Sequence, residues 1–299
     1  MKTNLKNLSN DVNLFTLFNF FKNFVYYYGY YKPRLSKTKL LTKKFVAGDR
    51  HFIKSLHNKF KGRRCFVIGN GPSLSRMNLD FLVNEVTIGS NGIYKLFNKY
   101  KFRPNYLLFQ DSHTIHGKAK EINELSGIPK LVALNSSHLV KRDKFTYFFN
   151  LAHHLGWENI QTSSAEELKG NAPFFSNNFG EFASNMGNVT HTGIQLAFFL
   201  GCNPVYLIGC DHSMIDLMKD FEPGHVKITE ENLPIFRKYH FTKNYYKIGD
   251  EIGVPFIELE NQAYKSCNEF FNAADRELLN AGTDSRVPFI PKVDFDSLF

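Results

Sequence analysis

From residue 51 onward the chain repeats one pattern: about four apolar residues, then a glycine or polar cluster, then a longer mixed stretch. Cys65–Ile68, Glu85–Gly89, Tyr106–Phe109, Lys130–Leu134 and Pro204–Ile208 are such runs. Short runs that are largely apolar, without strict alternation, suit strands buried on both faces, and their alternation with helical stretches builds a parallel sheet. The expected fold is α/β, a Rossmann-like parallel sheet with helices on both faces, plus a lid segment at about 212–250. Helices are predicted over His51–Lys61, Ser73–Leu82, Ile93–Lys101, Ile194–Leu200 and Gln262–Asn280, and one more strand over Val254–Leu259. Residues 150–187, rich in Asn, Ser and Gly, read as an irregular insertion. The tail from Gly282 is expected to run extended and to dock through Phe289, Ile290 and Phe295. The expected domains are an N-terminal segment, 1–50, and a catalytic domain, 51–299.

Candidate chemistry gathers where the strands end. The first run enters Gly69-Asn70-Gly71-Pro72-Ser73. Glycines there let backbone approach a ligand or another chain segment closely, and Pro72 suits a first helical turn. A helix starting at Ser73 would point free N–H groups at an anion. The next runs end in Ser90-Asn91, Gln110-Asp111 and Asn135-Ser136, and Thr190-His191-Thr192-Gly193 opens the apolar helix as a second anion-binding start. Gly209-Cys210-Asp211 ends the fifth run, where Asp211 suits a ribose, a metal or a cap. Each cluster alone is also an ordinary cap or turn; their repetition at one end of every strand points to a nucleotide or phosphate site. In the lid, His225 and His240 are the side chains suited to general-base work near neutral pH.

Composition narrows the partners. The net charge of +9 sits almost entirely in residues 1–45, which carry +8, so the body is nearly neutral and nucleic acid is not an expected partner. That basic segment holds ten aromatics between Phe15 and Tyr31, with Lys22 among them. It is too short and too charged for a membrane span. Two readings fit: a helix lying in the membrane interface, with Lys32, Arg34, Lys37, Lys39, Lys43 and Lys44 on anionic lipid, or an aromatic helix packed on the body or a second copy in a homo-oligomer. The first places the protein in the cytoplasm, peripheral on the inner face of the inner membrane. Cys65, Cys202, Cys210 and Cys267 lie in or beside apolar runs, suiting buried thiols rather than disulfides or a metal site.

Four stretches together carry a family resemblance: the Gly-Asn-Gly-Pro-Ser-Leu turn, Thr190-His-Thr-Gly193, Leu207-Ile-Gly-Cys-Asp-His212 and the closing Pro291-Lys-Val-Asp-Phe-Asp-Ser-Leu298. They resemble the domain family named for archaeal 6-hydroxymethylpterin diphosphokinase over about residues 50–299. That family is similar to bacterial sialyltransferases built on a single Rossmann-like domain of GT-A-variant type, and to flagellin nonulosonate transferases. The resemblance implies a CMP-sugar donor lying across the strand ends and a glycan or glycolipid acceptor, with no cofactor required. It implies that Asn70 and Asn91 touch phosphate, ribose or sugar, that Thr192 and Gly193 lie by the phosphate and sugar carboxylate, that His240 is the general base, and that Tyr245 and Tyr246 bind the departing phosphate. Two positions depart from the sialyltransferase pattern: Gly92 replaces a polar side chain, and Gln110-Asp111 replaces an asparagine. The alternative is a pterin-alcohol diphosphokinase using ATP and Mg²⁺, with Asp111 and Asp211 as metal ligands. A nucleotide-binding scaffold is the non-enzymatic reading.

Overall fold

A computed structural model describes residues 49–153 and 175–299. The chain divides into two compact units, Met1–Asp49 and Arg50–Phe299. The features below belong to the second; the aromatic segment and the membrane reading attached to it lie outside the described residues. No helix among the described residues is long and apolar enough to cross a membrane.

Seven strands form one sheet: β1 (Cys65–Ile68), β2 (Val86–Ser90), β3 (Tyr106–Phe109), β4 (Lys130–Ala133), β5 (Thr146–Phe149), β8 (Val205–Ile208) and β11 (Leu278–Asn280). Their order is β11-β8-β1-β2-β3-β4-β5 and every pairing is parallel. Alternate residues feed two cores, as the two-residue period of a strand requires. Cys65 and Val67 face the layer formed by α2 (Val189–Phe199) and α4 (Ile257–Ala273), with Ile194, Leu200, Cys267 and Phe271. Phe66 and Ile68 face the other layer, with Leu74, Leu79, Ile93, and Ile115 and Ile122 of α1 (Ser112–Glu124). The chain is thus a doubly wound, Rossmann-like α/β domain. All four cysteines are buried and free.

Several elements differ from the sequence pattern. Ser73–Leu82 is two short 3-10 turns, Pro72–Arg76 and Leu79–Leu82, because Asn78 accepts from the Asp80 N–H and restarts the chain. The next expected helix is a 3-10 piece, Asn91–Leu96, entered through Asn91 at φ +46°. The apolar run at Val254–Leu259 is split. Glu251–Val254 forms β10, which pairs antiparallel with β9 (Gly224–Lys227), and α4 begins after Pro255-Phe256 with Glu258 and Glu260 favouring its first turn. Helix α4 ends at Ala273, freeing Leu278–Asn280 to become the seventh strand. Of the insertion, the described part holds β6 (Leu151–His153) and β7 (Ala183–Asn185), paired parallel. In the tail Ile290 and Phe295 are buried, but Phe289, at φ +65°, is 53% exposed.

Candidate active site

The chain runs outward from β1 through β5, then returns as β8 on the other side of β1, so strand order reverses between β1 and β8. Ligand crevices of open α/β sheets lie at such reversals, outside the carboxyl ends. A cleft of about 780 Å³ lies there. Its floor is Gly69, Asn70 and Gly71 after β1, Ser90 and Asn91 at β2, Gln110 and Asp111 after β3, Asn135 after β4, and Gly209 and Asp211 after β8. Thr190, in the first turn of α2, and lid residues His240, Tyr245 and Tyr246 complete it.

The glycine turn is built around a carboxylate of the chain itself. Ser73 donates its N–H to Asp211 Oδ2 at 2.7 Å and its hydroxyl to Asp211 Oδ1. A Cβ on Gly71 would enter the Asp211 carboxylate, and one on Gly69 would meet the Gly209 carbonyl. These glycines therefore serve the close approach of two strand ends. The anion seat expected at Ser73 is closed, since Asp211 holds its donors, the following 3-10 turn is only five residues long, and Ser73 is buried outside the cleft lining. Thr192 and Gly193 also lie behind the cleft wall. The Thr192 hydroxyl donates to Gln110 Oε1, and Gly193 is packed against Val67. Gln110 lines the cleft, yet its amide is engaged by Thr192 and by Asn185 Oδ1 at 3.4 Å.

Two amides remain available. Asn70 Nδ2 donates to the Ser90 carbonyl and hydroxyl, both at 3.1 Å, which fixes the side chain and leaves Asn70 Oδ1 buried with no partner. Asn91 Oδ1, at the neighbouring strand end, is also buried and unpartnered. The first N–H groups of α2 have no intrahelical partner, and Asn188 takes only that of His191.

The lid, which contains the short helix α3 (Leu233–Phe236), has its own small core, including Leu217, Ile228, Phe236, Ile252 and Val254. It is tied to the floor where the Phe241 N–H donates to the Asn70 carbonyl and the Gly92 N–H donates to the Tyr245 hydroxyl, each at 3.1 Å. A Cβ at 92 would strike the Tyr245 ring, so the glycine that departs from the sialyltransferase pattern makes room for the lid tyrosine. His240 stacks on Tyr245 at 3.8 Å between centroids, and its Nε2 lies 3.2 Å from the Tyr246 hydroxyl. The buried Lys118 ammonium sits 4.9 and 5.1 Å from the two tyrosine rings. Burial, and then the charge of Lys118, push the His240 imidazole down to about 3. Burial also pushes both tyrosine hydroxyls up, so they stay protonated donors. His240 is therefore neutral but weakly basic, unlike the near-neutral group that the general-base expectation assumes.

At the mouth of the cleft a second cluster joins lid and body. Asp111 caps α1, accepting from the N–H groups of His113 at 3.3 Å and Thr114 at 2.8 Å. His225 of β9 brings Nε2 to 3.9 Å from Asp111 Oδ1, while His113 Nδ1 pairs with Glu251 of β10. The two imidazole rings lie 4.1 Å apart. Burial favours the neutral form of Asp111, but His225 and Thr114 outweigh it and hold the carboxyl at about 2. The Asp111 carboxylate in turn lifts His225 above its ordinary value, against partial burial. His113 and Glu251 lack a local signal: one follows an unremarkable Asp-Ser, and the other lies in a hairpin hidden by its charged residues. Glu260, 3.3 Å from His212 in the lining, was likewise obscured because α4 begins earlier than its pattern implies.

Both Asp211 oxygens accept from Ser73, both Asp111 oxygens cap α1, and no group of three or more His, Cys, Asp or Glu suited to a metal occurs among the described residues.

The family described as 6-hydroxymethylpterin diphosphokinase MptE-like matches residues 39–216. A search of curated proteins finds no match. Among solved structures, the chain is similar to a MAf glycosyltransferase from Magnetospirillum magneticum AMB-1, at 13% identity and a TM-score of 0.46. The alignment covers 85% of this chain and 39% of that one, so this chain spans about two-fifths of its length.

Proposed function

This chain belongs to the 6-hydroxymethylpterin diphosphokinase MptE-like family, and from that premise we propose that its cleft binds a CMP-activated nonulosonic acid and transfers the sugar to a glycan or glycolipid. The observation that carries this reading is the pair of buried, unpartnered oxygens, Asn70 Oδ1 and Asn91 Oδ1, at adjacent strand ends. A buried acceptor without a donor costs about 1–3 kcal/mol. Ribose or sugar hydroxyls, or a cytosine amino group, supply the missing donors. The start of α2 offers uncharged N–H groups to phosphate, and the protonated Tyr245 and Tyr246 hydroxyls lie in the same lining. Such fixed donors stabilise a departing phosphate, which leaves CMP already a monophosphate.

Mechanistically, the floor holds the nucleotide and the lid closes over it. Neutral His240 and its tyrosine neighbours form the ceiling. The diphosphokinase alternative is less well supported because Asp111 and Asp211, its metal ligands, are held by other groups. Cytoplasmic, peripheral attachment through the basic segment 1–45 belongs to the same proposal, since lipid-linked acceptors are found at the membrane surface.

Thermal-shift measurements with CMP, CDP, UDP, GDP and ATP, each with and without Mg²⁺, test the donor. CMP is expected to stabilise the wild type without Mg²⁺, and Asn70→Ala to weaken CMP by about 5- to 150-fold, the equivalent of about 1–3 kcal/mol. Stabilisation by ATP with Mg²⁺ alone would overturn the reading.

A further inference from the structure

We propose, building on the donor reading above, that His225 removes the proton of the attacking hydroxyl and that Asp111 is its positioning residue. The cleft contains two histidines of very different character. His240 is enclosed between two tyrosines, with Lys118 nearby. His225 lies at the mouth with its side chain 46% exposed, directs Nε2 at the Asp111 carboxylate, and faces Gly253 across the β9–β10 hairpin, so no side chain is interposed there. Its other charged or titratable neighbours are His113 on α1 and Glu251 on β10, which pair with each other.

Nε2 is the ring nitrogen that approaches Asp111, at 3.9 Å, and a proton held on that side leaves the imidazole lone pair on Nδ1. The orienting partner of a histidine fixes its tautomer in this way. In the transfer, the attacking oxygen bonds to the anomeric carbon of the donor while its proton passes to His225 Nδ1. The bond from that carbon to the phosphate oxygen breaks, and its electron pair leaves with CMP. The half-exposed ring then releases the proton to solvent, a path that the enclosed His240 lacks. Asp111 holds the ring through the helix start it caps, so the base is assembled from body and lid together. A half-exposed pair at 3.9 Å contributes little to stability, whereas a base whose pKa lies near the working pH matches the demand of proton transfer. The Asp111 interaction raises His225 toward that range.

The test uses the full chain and CMP release from CMP-N-acetylneuraminic acid with water as acceptor, over pH 5 to 9, beside calorimetric CMP binding. His225→Gln is expected to lower kcat by about 10²- to 10⁴-fold with CMP affinity unchanged. Asp111→Asn still caps α1, because Asn caps as well as Asp, and is expected to move the acidic limb of kcat/KM to lower pH. His240→Gln is expected to leave that limb in place. A purely structural role for Asp111 would not move it. Retention of turnover by His225→Gln within about threefold, far short of a general-base loss, or an unmoved limb in Asp111→Asn, would overturn the assignment. If CMP binding is intact in that case, only the base is wrong; absence of CMP binding by the wild type would defeat the donor reading and this proposal with it.

Discussion

The floor of the cleft and the lid above it are built on different principles. The floor is over-determined: the Gly69–Ser73 turn is fixed by backbone hydrogen bonds to Ile208 at the end of β8 and to Gly209 just after it, by the Asp211 clasp on Ser73 and by glycines whose Cβ positions are occupied. The lid has its own core and meets the rest of the domain through separate polar contacts: Phe241 to Asn70, Tyr245 to Gly92, the crossed acid–histidine pairs at β9 and β10, and the ion pairs Lys247–Glu121, Lys118–Asp250 and Arg286–Asp216. Damage to the floor should therefore appear as lost stability, and damage to the lid contacts as lost turnover in a folded protein. Sites that open and close draw on such separately packed elements.

The largest expected effect is acid destabilisation, which strikes both regions through buried histidines. His191 in α2 and His240 in the lid are each held down to about 3, in both cases chiefly by burial. An unfolded histidine binds its proton below about 6.5, while these folded ones do not, so stability is lost as pH falls from about 6.5 toward 3. Each contributes a slope of up to about 1.4 kcal/mol per pH unit. The lowered carboxylates Asp111 and Glu121, each at about 2, contribute only below about 4. Denaturant unfolding at pH 7, 6 and 5 should therefore show stability falling already above pH 5, with a shallower fall in His191→Phe. A flat profile down to pH 5 would show that neither histidine is kept neutral.

Next in size are two glycine substitutions that separate the regions. Gly71→Ala forces a methyl into the Asp211 carboxylate and should cost about 1–3 kcal/mol of global stability. Gly92→Ala pushes against the Tyr245 ring, whose lid can yield. It should lower kcat/KM by about 5- to 150-fold while shifting the thermal midpoint less than Gly71→Ala does. Equal loss of midpoint in the two variants would mean that floor and lid form one cooperative unit.

The amino-acid pattern exposed five of the seven sheet strands, because strands buried on both faces announce themselves as apolar runs, and the polar residue closing each run marked the cleft; it missed the edge strands β5 and β11. It was less informative where one signal served two structures. Val254–Leu259 reads as a strand, but Pro255 divides it into a lid strand and a helix start. Ser73 has the identity of a ligand-facing helix start, yet pairs with Asp211, 138 residues away. Thr192 likewise belongs to a suggestive motif but points to Gln110 rather than the cleft. His113 and Glu251, 138 residues apart, become neighbours only through folding, since β9 and β10 are just four residues each and too short to stand out. Local pattern records burial well. Partnership between distant polar groups is set by topology.

The central claim is that this cleft works on a CMP-linked sugar without a metal ion. Its most direct test is chromatographic measurement of CMP released from CMP-N-acetylneuraminic acid by the full chain in excess EDTA, beside a reaction containing 6-hydroxymethylpterin, ATP and Mg²⁺. The account predicts CMP release that persists in EDTA and falls in Asn70→Ala, with no ATP consumed in the parallel reaction. Consumption of ATP only with Mg²⁺, together with no CMP release, would contradict it.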